Sequence, residues 1–460
     1  MGKLSLANLK KTIYYLKRNG LKNTISAAKE RLDEKEEYQV TILSAQEKME
    51  LRKKAAKQIV EWNQSEIAAP SFSILVPAFR TNPAFLKDLV DSVREQVYPL
   101  WELLILDASG DESVKTALSD LGCDEDDRIR YEKLSENGGI SENTNAGIAL
   151  ATGDYVGLLD HDDVLTPDAL YEMALALRSV EKTPLVVYSD EDKWDGAEQY
   201  YECNRKEDFN LDLLLSNNYI CHFLVMEKAL FAKLKLRKAF DGAQDYDLVL
   251  RATAEILAQN LAPETMIKHV PKVLYHWRCH SASTAENPQS KLYAYEAGKR
   301  ALQEFADGQG FKATAEDLRH VGFYRLRYED ILESRKDLGA VGGKVLTKGA
   351  LTGGRMAEDG SIFYEGLKAE YSGYLHRGVL TQDAEAVDLR AIRVRKEFWP
   401  LFEEVVGVPY EANAVDGVFD AKKLPKEKDS KALGLAFGKA LRAQGKRILW
   451  DPEWIVKELQ

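Results

Sequence analysis

The sequence predicts an α/β protein built on a mostly parallel sheet, and three observations carry that expectation. From Ser71 onward short β-rich runs alternate with helical stretches, the order expected of a sheet covered on both faces. The apolar run Tyr155 to Leu159 reads as a buried strand, and it delivers Asp160, His161, Asp162 and Asp163 to its carboxyl end, where open α/β sheets bind ligands. A composition of 45% hydrophobic and 30% charged residues over 460 positions is that of an ordinary globular chain with room for two or three domains.

In chain order, residues 1 to about 66 read as helical, with a break at Gly20, a second charged helix from Ala45 to Asn63, and a boundary at Ala68-Ala69-Pro70. The main domain, 67–312, follows. Its expected strands are Phe72 to Val76, Glu102 to Leu106, Ile129 to Tyr131, Tyr155 to Leu159 and Leu185 to Tyr188. Between them Pro83 to Val97, Ser113 to Leu121, Ser141 to Ala151 and Pro167 to Leu177 read as helices, and Leu292 to Phe305 as the helix that closes the unit. A second domain, 313–460, is richer in glycine, with Val341-Gly342-Gly343 and Gly353-Gly354. A weak internal echo links Cys221 to Leu230 with Val387 to Phe398, and Tyr246 to Trp277 with Leu435 to Trp450, which suggests a partial duplication.

Charge and cysteine usage narrow the function classes. Seventy-four acidic against 63 basic residues, a formal charge of -11, argue against nucleic acid as a partner. The four cysteines, Cys123, Cys203, Cys221 and Cys279, form no Cys-x-x-Cys pair, so neither a zinc site nor a disulfide framework is expected and the compartment reads as reducing. No run of about 18 apolar residues is present, and the expected location is cytoplasmic. Near the N-terminus, Leu4, Leu6, Leu9, Ile13 and Leu16 recur close to helical spacing beside Lys3, Lys10, Lys11, Lys17, Arg18 and Lys22. That pattern suits peripheral contact with an anionic membrane, and equally a helix packed on its own domain with a solvated basic face.

Three loops at one sheet edge carry the chemistry. Pro77-Ala78-Phe79-Arg80 ends the first strand and Asp107-Ala108-Ser109-Gly110 the second. Phe79 can stack on a base, Arg80 can meet phosphate and Asp107 can accept an imide proton, while each also reads as a turn residue or a capping carboxylate. The Gly-containing loop Asn137-Gly138-Gly139 enters a helix bearing Asn143, and its amides suit close approach to a ligand. The carboxylates of Asp160 and Asp162 are hard ligands suited to a divalent metal held against a diphosphate; alternatively Asp162, Asp163 and Thr166 solvate a loop and cap the helix beginning at Pro167.

The order of the segments is more specific than any one of them. Ser73-Ile-Leu-Val-Pro-Ala-Phe-Arg80, Trp101 to Ser109, Glu136 to Asn145 and Gly153 to Asp163, in that sequence, resemble the family 2 glycosyltransferases of the GT-A fold over roughly residues 71 to 305. Tyr188 to Asp192, Asn218 to His222, Gly242 to Leu248 and Leu274 to Arg278 look most like bacterial enzymes that build O-antigens, rhamnans and other surface polysaccharides. The resemblance implies that Asp160 and Asp162 are the Asp-x-Asp motif, with Asp162 and then Asp160 holding Mn²⁺ or Mg²⁺ and the nucleotide sugar. It places Pro77, Phe79, Arg80, Asp107 and Asn143 at the donor nucleotide, Asp190 and Glu191 near sugar hydroxyls, and His276 and Arg278 at the metal or diphosphate. Asp245, at the start of a helix, matches the catalytic base of inverting members.

The C-terminal part departs from that pattern. Leu338 to Leu346 and Gly445 to Pro452 look like the later portion of a second GT-A-like domain, but Gly434-Leu435-Ala436 stands where an acidic pair would be. The expectation is a degenerate, noncatalytic domain that binds acceptor glycan, supports an oligomer or buttresses the first. The whole is expected to be an inverting, metal-dependent hexosyl- or rhamnosyltransferase that uses a UDP- or dTDP-linked rather than a GDP-linked donor and a polysaccharide or lipid-linked glycan acceptor at the inner membrane face. The competing reading is a catalytically silent glycan-binding or scaffolding subunit. A dinucleotide-dependent oxidoreductase is set aside, since Pro77-Ala78-Phe79-Arg80 occupies the place of a Gly-x-Gly-x-x-Gly turn.

Overall fold

The computed structural model describes residues 6–33, 38–65, 67–179, 182–279, 292–415, 417–424 and 429–458. Lys3 and Leu4 of the basic N-terminal pattern lie outside the described residues, as do the side chains of Leu6, Leu9, Lys10 and Lys11. The chain divides into two compact units, one formed by residues 36–209 and 218–301 and the other by 1–35, 210–217 and 302–460.

The first unit is organised by nine strands: β1 (Phe72–Ala78), β2 (Trp101–Asp107), β3 (Ile129–Lys133), β4 (Tyr155–Leu158), β5 (Val164–Leu165), β6 (Val186–Trp194), β7 (Tyr200–Asn204), β8 (Leu224–Glu227) and β9 (Ile267–Arg278). Their order is β3-β2-β1-β4-β8-β6-β9-β5, with β7 beside β6. Strands β1, β2, β3 and β4 pair in parallel, as do β6 and β9. The α/β class with a mostly parallel sheet is therefore the one observed. Antiparallel β8 is inserted between β4 and β6, so β6 runs in the same direction as β4.

Local sequence accounts for this half of the sheet. Phe72, Ile74, Leu75, Val76 and Ala78 of β1 are all buried, because helices cover both faces. Helix Pro83–Arg94 starts with Pro at its first turn and Asn82 accepting the Ala84 N–H, and buries Leu86, Leu89, Val90 and Val93 at i, i+3, i+4 and i+7. Helices Ser113–Asp120, Ile140–Leu150 and Ala169–Arg178 fall on the expected stretches. The last begins two residues after Pro167, and Asp163 does not cap it.

In the second unit the strand Leu338–Thr347 is flanked by parallel Arg447–Glu458 and antiparallel Ala350–Gly353 and Ile392–Val394. Phe402, Tyr410, Phe419, Phe437 and Trp450 are fully buried beneath it. Arg335 has no exposed surface, and its guanidinium meets Asp212 through two bonds of 2.6 and 3.1 Å and Asp337 at 2.7 Å. Helix Leu6–Asp33 is broken at Gly20, whose φ of 77° and ψ of 170° leave the helix where glycine alone is unstrained. Within this unit Glu30 accepts the backbone N–H groups of Ser372 and Gly373 at 2.7 and 2.6 Å. No helix among the described residues is long and apolar enough to cross a membrane.

Two imidazoles in this unit stack at 3.5 Å between centroids, His320 and His376. Burial first, then the neighbouring His376 and Arg319, lower His320 to about 2, and burial lowers His376 to about 4. A histidine held neutral in the folded state contributes stability above its unfolded value near 6.5 and loses it as pH falls. His222 and His269 are shifted upward, so their contribution changes only above that value. Between pH 6.5 and 4.5 His320 and His376 each withdraw up to about 1.4 kcal/mol of stability per pH unit, against the opposite contribution of the raised carboxyls of Asp163 and Asp212. In a calorimetric pH series the stability of the wild type relative to His320→Gln should therefore fall over that window.

Candidate active site

The carboxyl ends of β1, β2, β4, β6 and β9 lie along one edge of the sheet, as their parallel pairing requires. The segment Asp160 to Asp163 leaves β4 there and is tied back to β9. Asp163 is completely buried; its Oδ1 accepts the Arg278 N–H at 2.7 Å and its Oδ2 accepts the Tyr275 hydroxyl. Burial pushes its carboxyl well above the usual range, and the charges of Asp162 and Asp160 push the same way. The Arg278 side chain completes the tie, with Nε donating to the Asp162 carbonyl at 2.6 Å and Nη2 to Asp88 at 2.8 Å. Its guanidinium lies between Phe85 and Trp194, 4.5 and 4.1 Å from the ring centres.

With Asp163 turned inward, the Asp160 side chain is left 45% exposed and Asp162 half-buried. Enclosure by the surrounding groups raises the Asp160 carboxyl; His222 opposes the shift, and Asp162 and Asp245 add to it. Asp245 sits half-buried in the first turn of helix Gln244–Ala258, and its charge is felt by both Asp160 and Cys221. Asp247, one turn position further on, is different. It is buried and paired with Arg237 and with Arg251, the latter at 2.7 Å, and so braces the helix.

Strand β6 brings three acids to the same edge, but ties them down. Asp190 accepts the Lys206 N–H at 2.7 Å and His269 Nε2 at 2.8 Å. Glu191 accepts Asn204 Nδ2 at 3.0 Å and lies 3.0 Å from His222 Nδ1 and 3.4 Å from Lys206 Nζ. Burial alone would raise Glu191, yet Lys206 and His222 outweigh it and hold it at about 2. For His222 burial works downward, and Cys221 and Glu191 turn the balance upward. That imidazole stacks on Tyr275 with centroids 4.7 Å apart, and its Nε2 stands 4.0 Å from Asp160 Oδ2. Asp192 holds His276 Nδ1 at 2.6 Å and takes the Tyr38 hydroxyl at 2.7 Å.

At the nucleotide end the expected residues divide. Phe79 is 42% exposed, with the Arg80 guanidinium 5.2 Å from its ring centre, and Pro77 is half-buried. Arg80 adopts a φ of 51° and its N–H donates to Ser109 Oγ at 2.8 Å, so the two loops are joined. Asp107 has no exposed surface and receives the Ser109 N–H and the Tyr131 hydroxyl, both at 2.9 Å. Asn143 is buried and braces the glycine loop, accepting the Gly138 N–H at 3.1 Å and donating to Asn137 at 3.0 Å.

The structure thus gathers Phe79, Arg80, Asp160, Asp162 and Asp245 as outward-facing groups, and sets Asp107, Asn143, Asp190 and Arg278 as inward braces. Asp160, Asp162 and His276 do not form one tight cluster. Among the described residues the group of three potential metal-ligating side chains within 4.8 Å of one another is Glu191, Cys221 and His222. Sequence reasoning assigned no role to Asn218, His222, Tyr275 or Lys206. The first three stand in segments that carried the resemblance, whereas Lys206, a lone lysine 15 residues from its carboxylate, gives no signal.

Residues 73–235 match the model of Glycosyl transferase family 2. An uncharacterized protein, y4gI, of Sinorhizobium fredii is 38% identical over 239 residues, 51% of this chain and 25% of the relative. The O-antigen biosynthesis protein RfbC of Myxococcus xanthus is 35% identical over 260 residues, 56% of this chain and 20% of the relative. The chain thus spans a quarter or less of these two relatives. The amylovoran biosynthesis glycosyltransferase AmsB of Erwinia amylovora is 24% identical over 277 residues, 54% of this chain and 90% of the relative. A crystal structure of S. aureus TarS in complex with UDP aligns over 52% of this chain and 69% of that chain at 17% identity, with a TM-score of 0.38. Residues 73–235, which carry Asp107, Asp160, Asp162, Asp163, Asp190, Glu191 and His222 of the acidic edge, form a glycosyl transferase family 2 domain by that match, while Asp245, His276 and Arg278 lie beyond the matched residues.

Proposed function

We propose that the chain transfers a sugar, with inversion at the anomeric carbon, from a UDP- or dTDP-linked donor to a surface-polysaccharide or lipid-linked glycan acceptor. The observation that carries this reading is the selection of acids at the sheet edge. Asp163, Asp190, Glu191 and Asp192 are buried in bonds to neighbours, while Asp160, Asp162 and Asp245 face outward within one another's fields. A hard divalent cation fits there. The Asp160 carboxyl is raised first by its enclosure, with Asp162 adding to the shift, and divalent ions take one or two carboxylates with donor phosphates completing their shell. Asp160 and Asp162 would hold Mn²⁺ or Mg²⁺ together with the donor phosphates, while His276, whose Nδ1 meets Asp192, does not fall in one tight cluster with them. Bound there, the cation stabilises charge on the departing diphosphate as a Lewis acid.

The remaining steps fall to this chain's own residues. Phe79 stacks on the base and Arg80 meets the phosphates, held in place by the Ser109 bond to its backbone. The acceptor hydroxyl oxygen bonds to the anomeric carbon as the bond from that carbon to the diphosphate oxygen breaks, its electron pair leaving with the nucleoside diphosphate. The hydroxyl proton passes to Asp245, a general-base contribution of roughly 10²- to 10⁴-fold. The N-terminal helix supports action at the inner membrane face from the cytoplasm. Ile13, Leu16, Leu21 and Ile25 are 44, 38, 65 and 47% exposed beside exposed Lys17, Arg18 and Lys22.

In thermal melts, UDP or dTDP with Mn²⁺ should raise the midpoint, and Asp162→Ala should abolish the manganese-dependent part. Absence of any nucleotide shift in folded protein would favour the silent glycan-binding subunit instead. Asp245→Asn should lower turnover about 10²- to 10⁴-fold while leaving that shift intact. In sedimentation with vesicles, the protein should follow those containing anionic lipid and remain behind with neutral ones, and Lys17→Glu with Lys22→Glu should abolish the difference.

A further inference from the structure

Asn218 stands where the loop 218–222 meets the first turn of helix Gln244–Ala258, and its side-chain amide is engaged at both ends. Nδ2 donates to Asp245 Oδ2 at 2.7 Å, and Oδ1 accepts the backbone N–H of Cys221 at 3.3 Å. The second bond fixes the direction of the first. Turned end for end, the amide would set its N–H donors against the Cys221 N–H and its oxygen against a carboxylate, so one orientation alone satisfies both neighbours. The same loop carries His222, whose Nε2 faces Asp160 Oδ2 at 4.0 Å. Five residues therefore hold the two sides of the site together.

We propose that Asn218 is a positioning residue for the acceptor-activating carboxylate, holding Asp245 Oδ2 so that Oδ1 is presented to the acceptor hydroxyl. The inference rests on Asp245 acting as the base. Without the amide the carboxylate gains freedom about its side-chain torsions, and a general base misplaced by about 1 Å loses on the order of 10²-fold in rate.

The test follows nucleoside diphosphate release from a UDP- or dTDP-sugar, with a cell-envelope glycan extract as acceptor, for Asn218→Ala, Asn218→Asp and Asp245→Asn. Asn218→Ala should lower kcat about 10²-fold with KM for the donor unchanged. Asn218→Asp keeps the shape and removes the donor, so it should show the same loss in kcat at unchanged KM; a role in folding alone would spare this isostere. It also carries the test should the alanine variant fail to fold. Wild-type kcat in Asn218→Asp, with Asp245→Asn inactive, would overturn the inference alone. Full activity in Asp245→Asn would overturn the reading beneath it.

Discussion

The site depends on one buried carboxylate. Asp163 accepts the Arg278 N–H and the Tyr275 hydroxyl from β9, and these bonds set the path of the loop leaving β4. Buried polar groups without such partners are costly, so the loop has little freedom to place Asp163 elsewhere. Once it is placed, the chain geometry turns Asp160 and Asp162 the other way. Arg278 reinforces the path through the Asp162 carbonyl, and Gly196 makes room for it, since a Cβ there would stand 2.7 Å from Nη1. The partners come from β9, whose pairing with β6 shifts register between Ser189 and Asp190 and again between Asp190 and Glu191.

Electrostatics follows from that arrangement. A sheet edge bearing Asp160, Asp162, Asp163, Asp190, Glu191, Asp192 and Asp245 would repel itself were the charges alike in exposure. Each inward acid instead meets its own donor: Lys206 and His222 at Glu191, His269 at Asp190, His276 at Asp192. Enclosure raises the outward Asp160, with Asp162 and Asp245 adding to the shift, and carboxylates grouped in this way suit a divalent ion. Lys206 is central to this division, because its fully buried ammonium also caps the Ile220 carbonyl at 2.6 Å and so fastens the loop that carries Asn218 and His222.

Much of the fold was legible because its signals are local. The apolar runs that became β1, β2 and β4 are buried on both faces and read without ambiguity, and Asn82-Pro83 announces a helix start. Strands β5, β7, β8 and β9 were not read. β5 has two residues and β8 four, and their pairing is set by partners far away in sequence. At the site, residue types were easier to find than their facing. Asp107, Asp190 and Arg278 carry the right chemistry for a donor site, yet tertiary partners such as Tyr131, His269 and the Phe85–Trp194 pair turn them inward. Which face of a loop is outward depends on bonds of high sequence separation, and one sequence does not display them.

The second unit shows the same physics with another outcome. Helix Ser430–Ala443 lies so close to the strands beneath it that a Cβ at Gly434 would stand 2.8 Å from Met356 Cε and 3.0 Å from the Val387 carbonyl, and one at Gly438 2.5 Å from the Glu385 carbonyl. A carboxylate at Gly434 would force the helix outward and leave a charge against a carbonyl oxygen. The residues that read from sequence as a lost acidic pair are, in the fold, the condition for close helix packing. Its buried charges serve cohesion too: Arg335 is matched by Asp212 and Asp337, and Lys344, lowered to about 8 by burial and by Arg319, donates to the Gly378 carbonyl at 2.8 Å. An acidic side chain at Gly434 would need space that is occupied by the packing that keeps the unit folded.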